Sequence, residues 1–319
     1  MRVALIEPLR VPDSYIEDLG KSITDLGHEF VYYNEKTTDT EELYERSKDV
    51  EIVIIANNPY PAEVINRLEK TKLINVAFTG VDHVDQKVAA DKGIQIANAS
   101  GYSNTAVPEL AIGLVLSLYR DIVQGDADTR KGEDFTAPFQ GREIKGKTVG
   151  IVGTGNLGIK TAELFKAFGA NLIGYNRSEK EEAKELGLEY KSLEEVMSES
   201  DIISIHLPNT DATKGIISRE LMESMKDDAL LINVARGPIV DNEALAELLN
   251  NGAIGGAGID VYDMEPPLPN DYPLIHTKKS VLTPHIAYLT DEAMVDRANI
   301  VFDNAVKYLE GKPQNIVEL

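Results

Sequence analysis

The stretch Thr148-Val-Gly-Ile-Val152-Gly153-Thr-Gly155-Asn156-Leu157-Gly158 decides the fold. A short apolar run that passes straight into G-x-G-x-x-G reads as a strand turning tightly into a helix. The first glycine permits the turn, the second lets the backbone approach a pyrophosphate, and the third lets the helix pack on the strand. Helix-start N-H groups then face the phosphates, which marks Gly153, Gly155, Asn156, Leu157 and Gly158 as candidate dinucleotide-binding residues. About 20 residues on, where an NAD-preferring fold places Asp or Glu for the ribose hydroxyls, this chain has Gly174-Tyr-Asn176-Arg177-Ser178. Asn176 carries no charge to repel a 2'-phosphate, and Arg177 with Ser178 offers charge-assisted hydrogen bonds to one. The cofactor expected is therefore NAD(P)(H), with NADP(H) favoured; the alternative is an Arg177 that merely sits in solvent beside the adenine.

Working outward, both flanks alternate short β-branched runs with amphipathic stretches, the pattern of parallel α/β folds. Before the glycine motif, Arg2 to Ile6, Glu29 to Tyr33, Glu51 to Ala56, Leu73 to Phe78 and Ile94 to Asn98 read as strands; Glu41 to Ser47, Pro61 to Lys70 and Gln86 to Asp91 read as helices. A long apolar-faced helix is expected from Val107 to about Val123, then an acidic stretch with loop character (Gly125-Asp-Ala-Asp and Lys131-Gly-Glu-Asp). After the motif, strands are expected at Asn171 to Tyr175, Asp201 to His206, Ala229 to Val234, Gly256 to Val261 and Val281 to Thr283. Helices are expected at Leu157 to Phe168, Leu193 to Met197, Asn242 to Asn250 and Asp291 to Leu309, the second introduced by a capping box of Ser192 and Glu195. The expected fold class is two doubly wound parallel-sheet α/β domains. Residues 1–101 and 288–319 would form a discontinuous, flavodoxin-like substrate domain, with a Rossmann nucleotide domain at 102–287 inserted.

Composition removes several function classes. The 319 residues carry 32 Lys and Arg against 53 Asp and Glu, a net charge of −21 that repels nucleic acid and anionic membrane surfaces. With no cysteine, disulfides, thiol nucleophiles and Cys-type metal sites are excluded, and a cytoplasmic, reducing compartment is the natural location. The five histidines form no close metal-ligand pair, so no metal is expected. The opening Met1-Arg-Val-Ala-Leu-Ile-Glu-Pro8 reads as a buried strand rather than a leader.

Three strand ends send reactive groups to one edge. His285 follows Thr283-Pro284, Arg236 ends Asn233-Val-Ala-Arg, and Asp260 and Glu265 lie in Asp260-Val-Tyr-Asp-Met-Glu265-Pro266. An arginine, a carboxylate and an imidazole beside a nicotinamide suffice to reduce a 2-oxo acid. These segments carry the motifs N-x-x-R-G-x-x-V-D-x-x-A-L, D-V-x-x-x-E-P and T-P-H, with 29 residues from Arg236 to Glu265 and 20 more to His285. In motifs, order and spacing the chain resembles the D-isomer-specific 2-hydroxyacid dehydrogenase family, and the likeness runs over nearly its whole length.

The resemblance implies the roles. Arg236 would hold the substrate carboxylate and polarise the oxo group. His285 would donate a proton to the carbonyl oxygen as hydride arrives, and Glu265 would fix its tautomer and favour its acid form. Asp260 would bind the nicotinamide carboxamide. His206 and Pro208 would lie along the adenine side, the histidine chiefly structural, with Thr213, Val234 and Ala235 also lining the cofactor. Backbone N-H groups around Gly80 and Val81 would hold the carboxylate, while Asn57 at the third strand's end would face the substrate. That segment offers amides and no cation, which argues against a phosphorylated substrate. Tyr102, in Gly101-Tyr-Ser-Asn-Thr-Ala-Val-Pro-Glu109, matches a substrate-contacting tyrosine of the D-lactate branch or else packs internally. With 34 residues after His285, no regulatory domain is expected there. The expected partners are a small 2-oxo or 2-hydroxy acid and a second copy of the chain in a homodimer, which the apolar helix after Val107 suggests. A dinucleotide-sensing or corepressor-type protein on the same fold is the alternative function.

Overall fold

Residues 1–132 and 139–318 are described by a computed structural model, in which the chain forms two compact units: residues 1–103 with the segment from Leu289 onward, and Asn104–Tyr288. Part of the acidic stretch, Glu133 and Asp134, lies outside the described residues. The first unit begins β1 (Arg2–Leu5), α1 (Asp13–Thr24), β2 (Glu29–Tyr32), α2 (Thr40–Ser47), β3 (Ile52–Ile55), α3 (Ala62–Arg67), β4 (Leu73–Val76), α4 (Gln86–Asp91) and β5 (Gln95–Asn98). Its five strands pair in parallel in the order β2-β1-β3-β4-β5. Runs such as Ile52-Val-Ile-Ile55 are apolar throughout because a parallel strand is covered on both faces.

The second unit opens with α5 (Ala106–Tyr119) and α6 (Ile122–Lys131). It continues with β6 (Thr148–Val152), α7 (Asn156–Ala167), β7 (Asn171–Tyr175), α8 (Glu181–Glu185), β8 (Glu189–Tyr190), α9 (Leu193–Glu199) and β9 (Ile202–Ile205). The series ends with α10 (Arg219–Glu223), β10 (Leu230–Asn233), α11 (Asn242–Asn251), β11 (Gly256–Ile259) and β12 (Ser280–Leu282). Seven parallel strands run in the order β12-β11-β10-β9-β6-β7-β8. The order reverses between β6 and β9, and at such a switch point the two neighbouring crossovers leave in opposite directions and open a crevice at the carboxyl edge.

α12 (Asp291–Leu309) then returns to the first unit and packs on α1 and β4. The tail adds one antiparallel bridge, Ala97 to Ile316, beside β5. Asn304, 1% exposed, locks this return. Its amide donates to Asn75 Oδ1 (3.2 Å) and the Asn98 carbonyl (2.9 Å), and its Oδ1 accepts from Asn315 (2.8 Å) and Gln314 (3.2 Å).

The short elements α8, β8 and α10 were not among those expected, and two further regions differ from the sequence reading. The helix expected to reach Val123 ends at Tyr119, because Asp121 turns left-handed at φ 49°. The stretch Gly125-Asp-Ala-Asp, expected as loop, is then helical within α6. There side chains pair one turn apart, Asp126 with Arg130 as an ion pair (2.8 Å) and Gln124 donating to Asp128 (2.6 Å), until Gly132 at φ 71° ends the helix. α1 was not foreseen at all. It contains Gly20, where a Cβ would come 2.4 Å from the Phe30 ring, so packing on β2 overrides poor helix propensity. The capping box at Ser192 and Glu195 is present with both of its bonds. α5 buries its apolar face within its own unit, where glycines 256 and 258 of β11 make room for Leu118 and Leu114.

Replacing Asn304 by Leu would strand the Asn75 and Asn98 oxygens and the Asn315 amide. At about 1–3 kcal/mol per orphaned buried group, partly relieved by water, the expected loss is about 2–4 kcal/mol, read as a lower urea midpoint for the first unit.

Candidate active site

In the second unit the glycine loop is shaped by what surrounds it. Gly153 takes φ 101°, and a Cβ there would lie 2.8 Å from the His206 carbonyl group. A Cβ on Gly158 would lie 1.9 Å from the Gly153 oxygen, so only glycine lets α7 start this close to β6. Gly155 differs: no heavy atom lies within 4 Å of its missing side chain, and no side chain caps α7. Open space over an uncapped helix start is the cradle a pyrophosphate requires. The donor set fits a dinucleotide.

Tyr190 connects this loop to the next. Its hydroxyl lies 2.6 Å from that of Thr154, between the two glycines, and accepts from the Lys180 N-H at 3.0 Å. Asn176 at the end of β7 donates to the Ser178 carbonyl (2.7 Å), while Arg177 and Ser178 are exposed. At the end of β9, Thr213 donates to the Pro208 carbonyl (2.6 Å) and accepts from the Thr210 N-H, folding that loop on itself. His206 holds Ser204 through Nε2 (2.8 Å), and its Nδ1 is enclosed without a hydrogen-bond partner. Burial depresses its pKa to about 3, so the ring is neutral at physiological pH.

The carboxyl ends of β10, β11 and β12, three adjacent strands, carry the candidate reactive groups. Asn233 is fully buried and folds the turn before Arg236, accepting from the Ala235 N-H (3.1 Å) and donating to the Arg236 carbonyl (3.0 Å). The Arg236 guanidinium donates to the Ala235 carbonyl (2.8 Å), and Val234 is buried below. A Cβ on Gly237 would lie 2.0 Å from the Tyr262 carbonyl carbon, so this turn lies directly against the loop after β11. From that loop Glu265 meets His285: Nδ1 lies 2.9 Å from both carboxylate oxygens. A carboxylate only accepts, so Nδ1 carries the proton and Nε2 is the atom directed at chemistry. His285 sits at φ 56°, its side chain 18% exposed, with Tyr288 edge-on at 5.3 Å.

Asp260, expected to bind the nicotinamide carboxamide, is fully buried and accepts three hydrogen bonds from the His285 turn. Burial raises its pKa, and these three donors pull against that. The other candidates lie in the first unit: Asn57 after β3, Gly80 and Val81 after β4, and Tyr102 after β5. Tyr102 is 6% exposed and stacks edge-on against Phe78 at 5.9 Å. Sequence reasoning missed Asn233, Tyr262 and Thr283 as shaping residues, although all three stand inside the motifs it quoted.

Residues 112–287 match the family profile described as D-isomer specific 2-hydroxyacid dehydrogenase, NAD binding domain. A glycerate dehydrogenase from Methylorubrum extorquens is 37% identical, over 91% of this chain and 92% of its own length. The chain belongs to the D-isomer-specific 2-hydroxyacid dehydrogenase family. A D-3-phosphoglycerate dehydrogenase from Methanocaldococcus jannaschii is 38% identical over 88% of the chain, which spans only about half (54%) of that relative. Among solved structures, an acyclic imino acid reductase (Bsp5) in complex with NADPH and D-Arg superposes with a TM-score of 0.90 at 30% identity, covering both chains completely.

The neutral His206 sets a pH dependence. Above its ordinary value of 6.5 it is uncharged folded or unfolded; between 6.5 and about 3 only the unfolded chain takes up the proton. Stability should therefore fall with falling pH in that window, by at most about 1.4 kcal/mol per unit. Urea midpoints from pH 7 to 4.5 should decline less steeply in His206→Asn than in the natural chain.

Proposed function

We propose that this chain is an NAD(P)-dependent oxidoreductase that reduces a small 2-oxo acid to the D-2-hydroxy acid and catalyses the reverse. The observation that carries the reading is the Glu265–His285 pair, with Nδ1 held by both carboxylate oxygens at 2.9 Å, on the sheet that bears the glycine loop. Gly153, Gly155 and Gly158 with the start of α7 would hold the diphosphate of the cofactor. A bound nicotinamide would supply the hydride. Arg236 binds the substrate carboxylate and draws electron density from the carbonyl. His285, held in one tautomer, gives its proton to the carbonyl oxygen and recovers it in the oxidative direction. In the first unit, the N-H groups around Gly80 and Val81, together with Asn57 and Tyr102, are the candidates for substrate binding.

NADP(H) is the favoured cofactor, on the absence of an acid at Asn176 and the exposed Arg177 and Ser178. An unphosphorylated substrate is favoured as well. Arg46 of α2 is 6% exposed, and its two terminal nitrogens are engaged, one by the Ile6 and Glu35 carbonyls and the other by Glu42, so it offers no free arm to a phosphate. A cytoplasmic homodimer is the working form we propose.

The likeness to an imino acid reductase supports a second reading, reduction of the C=N bond of a 2-imino acid by the same proton donor. A panel of 2-oxo acids with NADH and NADPH, each with and without an amine, separates the two by product analysis. His285→Ala should lower kcat/KM by about 10²–10⁴. Unchanged rates in that variant would remove the proton-donor role, and dinucleotide binding with no turnover across the panel would move the reading to a sensor.

A further inference from the structure

We propose that Asp260 is the positioning residue for His285, folding the turn that carries the imidazole; this rests on the reading above in which His285 moves the proton. Asp260 is fully buried one residue beyond β11. Its Oδ1 accepts from the Thr283 hydroxyl (2.6 Å) and the Ile286 N-H (2.9 Å), and its Oδ2 accepts from the Ala287 N-H (2.8 Å). The three donors bracket the histidine, one on the residue two before it and two on the residues directly after.

The turn needs such a clamp. His285 holds φ 56°, a left-handed conformation that costs a non-glycine residue about 1 kcal/mol or more. The residue before it, Pro284, has no N-H to offer a bond. Within the turn itself only the His285 N-H bonds back, to the Thr283 carbonyl at 3.0 Å. What else ties it down comes from the β11 segment: the Ile259 carbonyl accepts from Thr283 N-H (2.9 Å), and the Tyr262 hydroxyl donates to the Thr283 carbonyl (2.9 Å). Glu265 cannot do this alone, since it meets only the ring Nδ1 and leaves the backbone of the turn untouched. One loop therefore controls the histidine at two points, Asp260 gripping its backbone and Glu265 its ring.

Three converging donors also explain why the residue is an acid. A carboxylate accepts from all of them, whereas an asparagine would turn an NH2 toward at least one donor and break the turn's closure.

The role differs from a carboxamide contact in what it predicts. Asp260→Asn should lower kcat by about 10- to 100-fold at saturating cofactor, leave the calorimetric Kd for the dinucleotide within about twofold, and increase the solvent isotope effect on kcat. Amide hydrogen exchange at Ile286 and Ala287 should accelerate in the same variant. Thr283→Val, which removes one donor and keeps the charge, should do the same more weakly and provides a second route if Asp260→Asn does not fold. Unchanged kcat, or a tenfold weaker dinucleotide Kd with kcat preserved, would overturn the proposal. His285→Ala, run alongside, separates the two levels. If it keeps full rate, the proton-donor reading fails, while exchange at Ile286 and Ala287 still reports whether Asp260 holds the turn; unaltered exchange sinks the clamp.

Discussion

Every strand in both sheets is parallel, and the rest of the molecule depends on that constraint. Parallel strands all finish at one edge, so whatever follows them is delivered to a common side without any long-range signal. In the second unit that edge receives the glycine loop from β6, the Asn176 turn from β7, His206 from β9, Arg236 from β10, Glu265 from β11 and His285 from β12. Such a sheet must be covered on both faces, which explains the wholly apolar strands and the burial of α5. The chemistry is thereby confined to loops, and the loops hold their shape through side chains that never reach the reacting atoms.

That division explains what was legible in the sequence. Strands with uniform burial, such as Ile52–Ile55 and Ile202–Ile205, stand out as apolar runs, and glycine marks turns where a side chain would collide. The reactive set was legible because each member follows an apolar strand inside a dense motif. What escaped depends on contacts between distant segments. α1 forms because Phe30 fills the space over Gly20, and α6 because its charges pair one turn apart, neither of which composition reveals. Asp260 illustrates the same limit within the site. Its place in a motif marked it as a strand-end acid, and only the fold shows its carboxylate bonded to Thr283, Ile286 and Ala287.

The net charge of −21 also acquires a local meaning. Much of the basic complement is spent on neighbours: Lys184 between Glu179 and Glu181, Arg67 on Glu41, Arg219 on Glu247. These pairs are exposed and contribute little to stability, but they leave an acidic surface with positive potential concentrated where the structure makes it, at the start of α7 and at Arg236. A small anion is attracted only over short range in such a field, within about a Debye length of 8 Å, which favours a compact substrate over an extended polyanion.

The hydroxyl of Tyr190 joins the residue between the first two glycines of the loop to the N-H that opens α8. The two loops it bridges are those proposed to hold the pyrophosphate and the adenine-side ribose of one cofactor, so they do not move independently. Any exchange of residues 176–178 intended to alter nucleotide choice will be transmitted through that single oxygen to Thr154. Engineering of preference in this scaffold is therefore a problem of coupled rather than additive changes, and position 190 is the hinge on which the coupling turns.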